Sequence, residues 1–490
     1  MRMNIENFEQ CLARLMKEYK ISYSELTSIL NYKSKNTLHR VVTGESGYKS
    51  RVKIFNDIIS NDNLKFSKED LEDLEQALLI SKIGTGKFEA MEEMRNLLRR
   101  KEKTTEDIYI TDIQTNKIIS LDTFIDSLKN SVNDILIINC CWSSVSNSMT
   151  KLMDASPKTN ITQYMVLTSK MAKTVNTIGN ILPMVHYKGY MGYSSTTKDN
   201  GDHFPSALRY NLIAIRSKEE NGKMNGYQII LHNENEGYIT TEGYNLFDYW
   251  DEITKKEVDN MLQIKTSYSH SDTADEYLKF TEMYSKMEFN NAIYTYKPDI
   301  CFNYINTQIT KAAFIDGVTG LGAGGLISEK LIKKLEEVHE KRYTNIFTKK
   351  KVTQHVCTAK GLKNFAETGI LSDHFFAMRP YTLKERIEIF KNILDQEENN
   401  PHFNIHLLKD DNGFIEMEAI CFENIGVDFT SMKTDYKLTE GHTEAIVRQK
   451  EFLELYIEYF TGELLRKDVR PPNETITFLK QLIAQMEKSL

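Results

Sequence analysis

A chain of 490 residues exceeds one ordinary domain and predicts two or three. With 40% hydrophobic residues, 27% charged residues and 8 prolines, it excludes a disordered or linker-dominated protein. A net charge of −7 excludes a chain that coats nucleic acid over its whole surface.

The charge is uneven. Residues 1–60 hold ten Lys/Arg against six Asp/Glu, a net of +4, so the remainder sums to −11. No run approaches 18 apolar residues, and MRMNIENFEQ lacks the apolar core of a signal peptide, so no membrane partner is expected. Cys11, Cys140, Cys141, Cys301, Cys357 and Cys421 are scattered without CxxC spacing, which predicts reduced thiols in a cytoplasmic protein and no metal site.

Taken in order, Phe8, Leu12, Leu15 and Met16 form the apolar stripe of a first helix. The stretch Ile21–Gly44 then reads as two short helices joined by a polar turn. Leu26, Ile29 and Leu30 share one face of the earlier helix. Ser34 is placed to cap the later one, with Leu38, Val41 and Val42 turned inward. A fourth helix follows, carrying Val52, Ile54, Phe55, Ile58 and Ile59.

Phe8–Ile59 resembles the helix-turn-helix domain of Xre/Cro/phage-repressor regulators. Ser22 and Glu25-Leu26 open its second helix, Ser34 opens the third, and Gly44 closes it. Tyr23, Thr27 and Val42 stand where that family commonly has glutamine, alanine and glutamate, and the turn is one residue longer. The resemblance implies that Lys35, Asn36, Thr37, His39 and Arg40 face base edges of double-stranded DNA, with the capping Ser34 also in the DNA-binding set. Lys33, Lys49 and Arg51 would contact phosphate.

Ser67, with Asp70 three residues on, predicts a capped helix through Ile83, and a second runs from Phe88 to Arg100. The charged run RRKEKTTED, Arg99–Asp107, marks a boundary. The expected organisation is a DNA-binding head (1–62), a helical, dimerising linker (63–104) and an effector or sensor body (105–490). The body would have two lobes meeting near residue 300.

Past Ile108 short apolar runs alternate with helical patterns. IYITDI, DILIINC, ITQYMVLT, ILPMVHYKGYMGYS, LRYNLIAI, YQIILH and GYITT read as strands, as do AIYTYKPDICFNYI, ITKAAFIDG, FNIHLL, FIEMEAICF and DFTSM. Helices are expected at Leu121–Leu128, Tyr249–Ile264, Ala274–Met287, Leu326–Tyr343, Leu383–Leu394, Glu444–Leu465 and after Pro471-Pro472. The fold class is therefore multidomain: a small all-α head on a large α/β or α+β body. No repeat is visible in it.

Sites in the body are sparse. Gly320-Leu-Gly-Ala-Gly-Gly325 fits GxGxxG, yet no acid follows at the distance a ribose needs, and no cofactor is inferred. His186-Tyr-Lys188 resembles half of a phospholipase D-like HxK motif, but Tyr193 stands where its aspartate belongs. Cys140-Cys141 ends an apolar run, where buried thiols are chiefly core residues. His402 and His406 lack metal-spaced partners.

The reading is a sequence-specific, homodimeric transcriptional regulator with a small-molecule or protein effector and no catalytic residues. Two alternatives stand beside it. One is an enzyme of unidentified class whose N-terminal helices serve assembly. The other is a phage-defence or stress protein acting through protein contacts.

Overall fold

The computed structural model describes residues 6–490 except 62, 100–105, 169, 186, 188, 198–205, 243–244, 258–261, 264, 268–273, 321–328, 349, 373–377, 412–416 and 432–442. The chain divides into two compact units, residues 1–93 with 170–172, and residues 94–169 with 173–490.

The first unit is built from short helices: α1 (Phe8–Glu18), α2 (Tyr23–Ile29), α3 (Lys35–Val42), α4 (Tyr48–Ile59) and α5 (Lys68–Ile83). Short helices leave a large fraction of their N–H groups unbonded, so caps matter here. Asn7/Gln10, Ser22/Glu25 and Ser67/Asp70 form reciprocal capping boxes, and Ser34 accepts from the Asn36 N–H. The core gathers Phe8, Leu12, Leu15, Leu26, Leu38, Val41, Ile54, Ile58 and Leu74. α6 (Thr85–Leu98) leads to the second unit.

There, β1 (Tyr109–Asp112), β2 (Ile118–Ser120) and α7 (Leu121–Asp126) precede β3 (Ser131–Ile138), α8 (Ser143–Ala155), β4 (Asn160–Thr168), α9 (Met171–Val185) and β5 (Tyr190–Thr197). A meander of β6 (Leu212–Glu219), β7 (Met224–Leu231) and β8 (Glu236–Glu242) follows, then α10 (Asn245–Glu257) and β9 (Leu262–Gln263). Among the described residues these strands form one sheet ordered β2-β1-β8-β7-β6-β3-β4-β5-β9.

The second sheet opens with β10 (Lys265–Ser267), followed by α11 (Ala274–Glu288), β11 (Ile293–Tyr296), α12 (Thr307–Gly320), α13 (Glu329–Thr348) and β12 (Thr353–Cys357). Next come α14 (Ala359–Thr368), α15 (Leu383–Asn399), β13 (Phe403–Leu407), β14 (Met417–Phe422), β15 (Gly426–Ser431) and β16 (Thr443–Val447). The chain ends in α16 (Lys450–Tyr459), a π-helical segment Phe460–Asp468, and α17 (Pro472–Glu487). The sheet order is β10-β16-β15-β14-β11-β12-β13.

The two sheets share one plan. In the first, β3, β4 and β5 are parallel neighbours, and β6-β7-β8 meander antiparallel from the other side of β3. In the second, β11, β12 and β13 repeat the parallel set and β14-β15-β16 repeat the meander. In each sheet a helix after the meander covers the apolar face. Phe247 and Trp250 of α10 pack with Leu136, Ile138 and Leu212. Phe452 of α16 meets Phe429, and Phe460 meets Tyr294. The two sheets thus share a six-strand order that the residues do not advertise.

Several element assignments differ from the sequence reading. ITKAAFIDG is helical, in α12, and not a strand, so the GxGxxG string does not follow a strand. Ile181–Val185 closes α9 instead of opening a strand, and Glu444–Val447 is strand, not helix. β12 and α14 were not expected, although Ala359, Leu362, Phe365 and Ala366 of α14 share one buried helical face.

Candidate active site

The residues singled out in the helical head are on the surface. Lys33, Ser34, Lys35, Asn36, Thr37, His39 and Arg40 are exposed on the α2–α3 turn and along α3. Lys49 is exposed too, but Arg51 is half-buried and its guanidinium is committed to Glu9. The head therefore displays an exposed polar face.

The second sheet is different. At the carboxyl end of β11 the chain runs Lys297-Pro298-Asp299, and the antiparallel neighbour β14 begins with Met417-Glu418. Lys297 has no solvent exposure, which is rare for lysine without partners. Its Nζ stands 3.7 Å from Asp299 Oδ1 and 3.7 Å from Glu418 Oε2. Both carboxylates are buried with it.

Neighbouring groups hold this centre in place. Asp299 accepts from the Ser372 backbone N–H and from its hydroxyl, each at 2.6 Å. The Asp299 backbone carbonyl accepts from His355 Nε2 at 2.7 Å. With the proton at Nε2, Nδ1 of a neutral ring is the acceptor, and the Tyr304 hydroxyl donates to it at 3.2 Å. His355 is fully buried on β12.

The adjoining loops are tied to the same place. The Thr358 N–H and hydroxyl both donate to the Pro298 carbonyl, at 3.0 and 3.1 Å. Gly361 lets α14 approach: a Cβ there would lie 2.1 Å from the Pro298 oxygen. Asp411, beyond β13, accepts from the Ala359 and Lys360 N–H groups in the first turn of α14. The carboxyl ends of three parallel strands converge, which is where open α/β sheets place ligands.

Asp428, on β15, is buried and neither of its oxygens has a hydrogen-bond partner. Burial pushes its carboxyl up to about 8, against the pull of the Arg448 charge. It is mostly a neutral acid at neutral pH.

Hydrogen-bond register aligns the two sheets residue by residue. The Asn139 N–H donates to the Tyr164 carbonyl as the Lys297 N–H donates to that of Val356. Ile138 pairs with Leu212 as Tyr296 pairs with Ala419. Asn139 therefore corresponds to Lys297, Cys141 to Asp299, Gln163 to His355, Asn211 to Glu418 and Ile229 to Asp428. No member of the first set carries an ordinary charge at neutral pH; the second set has a lysine, three acids and a histidine. Burial pushes the Cys141 thiol up to about 12, away from a reactive thiolate.

Other positions raised by the sequence do not join this centre. Gly320 closes α12, while residues 321–325 of that string lie outside the described residues, as do His186 and Lys188. His406 Nε2 donates to Gln354, and burial pushes its imidazole down to about 4. Among the described residues no group of His, Cys, Asp and Glu is arranged to hold a metal ion. Lys297, Asp299, His355, Glu418 and Asp428 were all missed. The available signals were KPD directly after an apolar run and acids inside an otherwise alternating strand.

No protein-family profile matches the chain, and a search of curated proteins also finds no match. Among solved structures, the chain is similar to polyphosphate kinase from Porphyromonas gingivalis, at 9% identity and a TM-score of 0.20. That match covers 69% of this chain and 48% of the kinase, so the chain spans about half the kinase's length. It is also similar to phosphatidylserine synthase of Haemophilus influenzae Rd KW20, at 8% identity and a TM-score of 0.26, covering 82% and 98%. Both are named as enzymes and neither as a DNA-binding regulator. The expectation of a repressor-like transcription regulator without enzymatic activity is corrected on that finding. At these TM-scores no substrate is taken from either protein. No described helix is long and apolar enough to cross a membrane.

Proposed function

We propose that the chain is an enzyme whose acid–base centre is Lys297, Asp299 and Glu418 in the second sheet. The N-terminal helices have no catalytic part in this reading and serve assembly. The observation that carries it is a fully buried ammonium 3.7 Å from each of two carboxylates, at the carboxyl end of β11, where the parallel strands meet antiparallel β14.

Such a group suits a hydrolysis or transfer reaction that needs one proton donor and one acceptor. Burial places the proton-carrying atoms in low dielectric, where small movements of charge have large effects. Asp299 is oriented by Ser372, and His355 is held by the Asp299 carbonyl, so the centre is supported from behind.

The test is a panel of chromogenic carboxylic esters, phosphomonoesters and phosphodiesters with the full chain and Glu418→Gln. This near-isosteric change keeps the Lys297–Asp299 contact. Turnover of one class, reduced about 100-fold or more in the variant with its circular dichroism unchanged, is the expected result. Turnover of none, or turnover indifferent to the change, defeats the reading.

A further inference from the structure

A concavity lies apart from the acid–base centre, between α12 and α13, and opens to solvent. Its walls follow from two helical stripes. Thr307, Thr310, Lys311 and Phe314 recur at i, i+3, i+4 and i+7 on α12; Ile332, Leu335, Glu336 and His339 do the same on α13.

The chemistry of the lining is specific. Phe302, Phe314, Ile332 and Leu335 supply apolar surface. At the mouth, half-exposed Lys311 and Glu336 pair at 2.7 Å, so the entrance has no net charge to attract an ion. At the floor His339 is buried, with Nδ1 3.1 Å from the Thr307 hydroxyl and Nε2 3.4 Å from that of Thr310.

Burial, and then the Arg342 charge, push this imidazole down to about 3, so the ring is neutral. A neutral ring donates from one nitrogen and accepts at the other. Only one threonine hydroxyl gives its proton to the ring. The other hydroxyl, itself also buried, keeps a proton for another acceptor.

We infer that this pocket binds a small uncharged apolar molecule with one hydrogen-bond acceptor, such as a monocyclic aryl ketone. Its ring lies against Phe302, Phe314 and Leu335, and its carbonyl accepts from the spare threonine hydroxyl. The assignment is independent of the proposed enzymatic activity, since it rests on other residues and is read by binding alone.

The experiment is a fluorine NMR titration of the full chain with 4′-fluoroacetophenone, with 4-fluorobenzoate as the charged counterpart. Expected is saturable binding of the ketone, at least tenfold tighter than the benzoate. Filling the pocket with Leu335→Trp or Ile332→Trp should abolish it in whichever variant keeps the wild-type melting curve. Thr307→Val combined with Thr310→Val should weaken it about fivefold, the loss of one neutral hydrogen bond. Absence of saturable ketone binding, equal binding of benzoate, or binding untouched by a folded pocket-filling variant overturns the inference.

Discussion

The two sheets of the second unit have one strand plan and opposite interiors. Where the first places Asn139, Cys141, Gln163, Asn211 and Ile229, the second places Lys297, Asp299, His355, Glu418 and Asp428. Strand order tolerates both sets because buried apolar residues on both faces hold the strands: Ile135 to Ile138, Leu212 and Ile213 in one sheet, Ile293, Tyr296, Ala419 and Phe422 in the other. One strand order carries a buried charged set in one sheet and neutral residues in the other. Fold and site are separable properties.

The largest test of this contrast is removal of the buried cation. Lys297→Ala leaves two buried carboxylates facing each other and should cost about 3–5 kcal/mol in urea unfolding. Asn139→Ala, at the register-equivalent position, loses only neutral bonds to Val166 and Leu208 and should cost about 1–3 kcal/mol. Equal losses would erase the distinction between the sheets.

Asp428→Ile installs the first sheet's residue in the second. A folded-state carboxyl at about 8 lies above its unfolded value near 3.9, so the folded protein holds the proton more tightly between those values. The wild type should therefore lose stability from this group as pH rises from about 4 to 8. Asp428→Ile should remove that slope and be more stable at pH 8 by about 1–4 kcal/mol, with a smaller gain at pH 5. Parallel pH profiles for the two proteins would show that Asp428 is not a buried neutral acid.

The smallest effect compares two tyrosines. The Tyr304 hydroxyl donates to His355, and that of Tyr190 donates to Gln163, the register equivalent of His355. Tyr304→Phe and Tyr190→Phe should each cost about 1 kcal/mol by thermal unfolding. Only Tyr304→Phe should also alter the His355 ring signals in an NMR titration. A shared shift, or none, would break the assigned hydrogen bond.

Much of the local structure was legible. The caps at Ser22, Ser34 and Ser67 were readable because a side-chain oxygen and its N–H partners are separated by two or three residues. DILIINC, ITQYMVLT and YQIILH were readable as strands because apolar runs between turns have few other uses. β12 was not, since polar Thr353 and His355 are buried there as fully as Val356 and Cys357, so no apolar run marks it. α12 was misread because β-branched Ile309, Thr310 and Ile315 favour strands locally, while packing on α13 decides for helix.

What the sequence by itself determined is short-range: helix starts, buried strands, and an acidic body behind a basic N-terminal stretch. The tertiary structure alone decided the shared strand order and the buried charged cluster. Pairing β11 with β14 brings Lys297 to Glu418 across more than a hundred residues, and the loop after α14 brings Ser372 to Asp299. Periodicity reports which side chains share a face of one element. It carries no information on which element lies beside it, and the charge placed there makes the site.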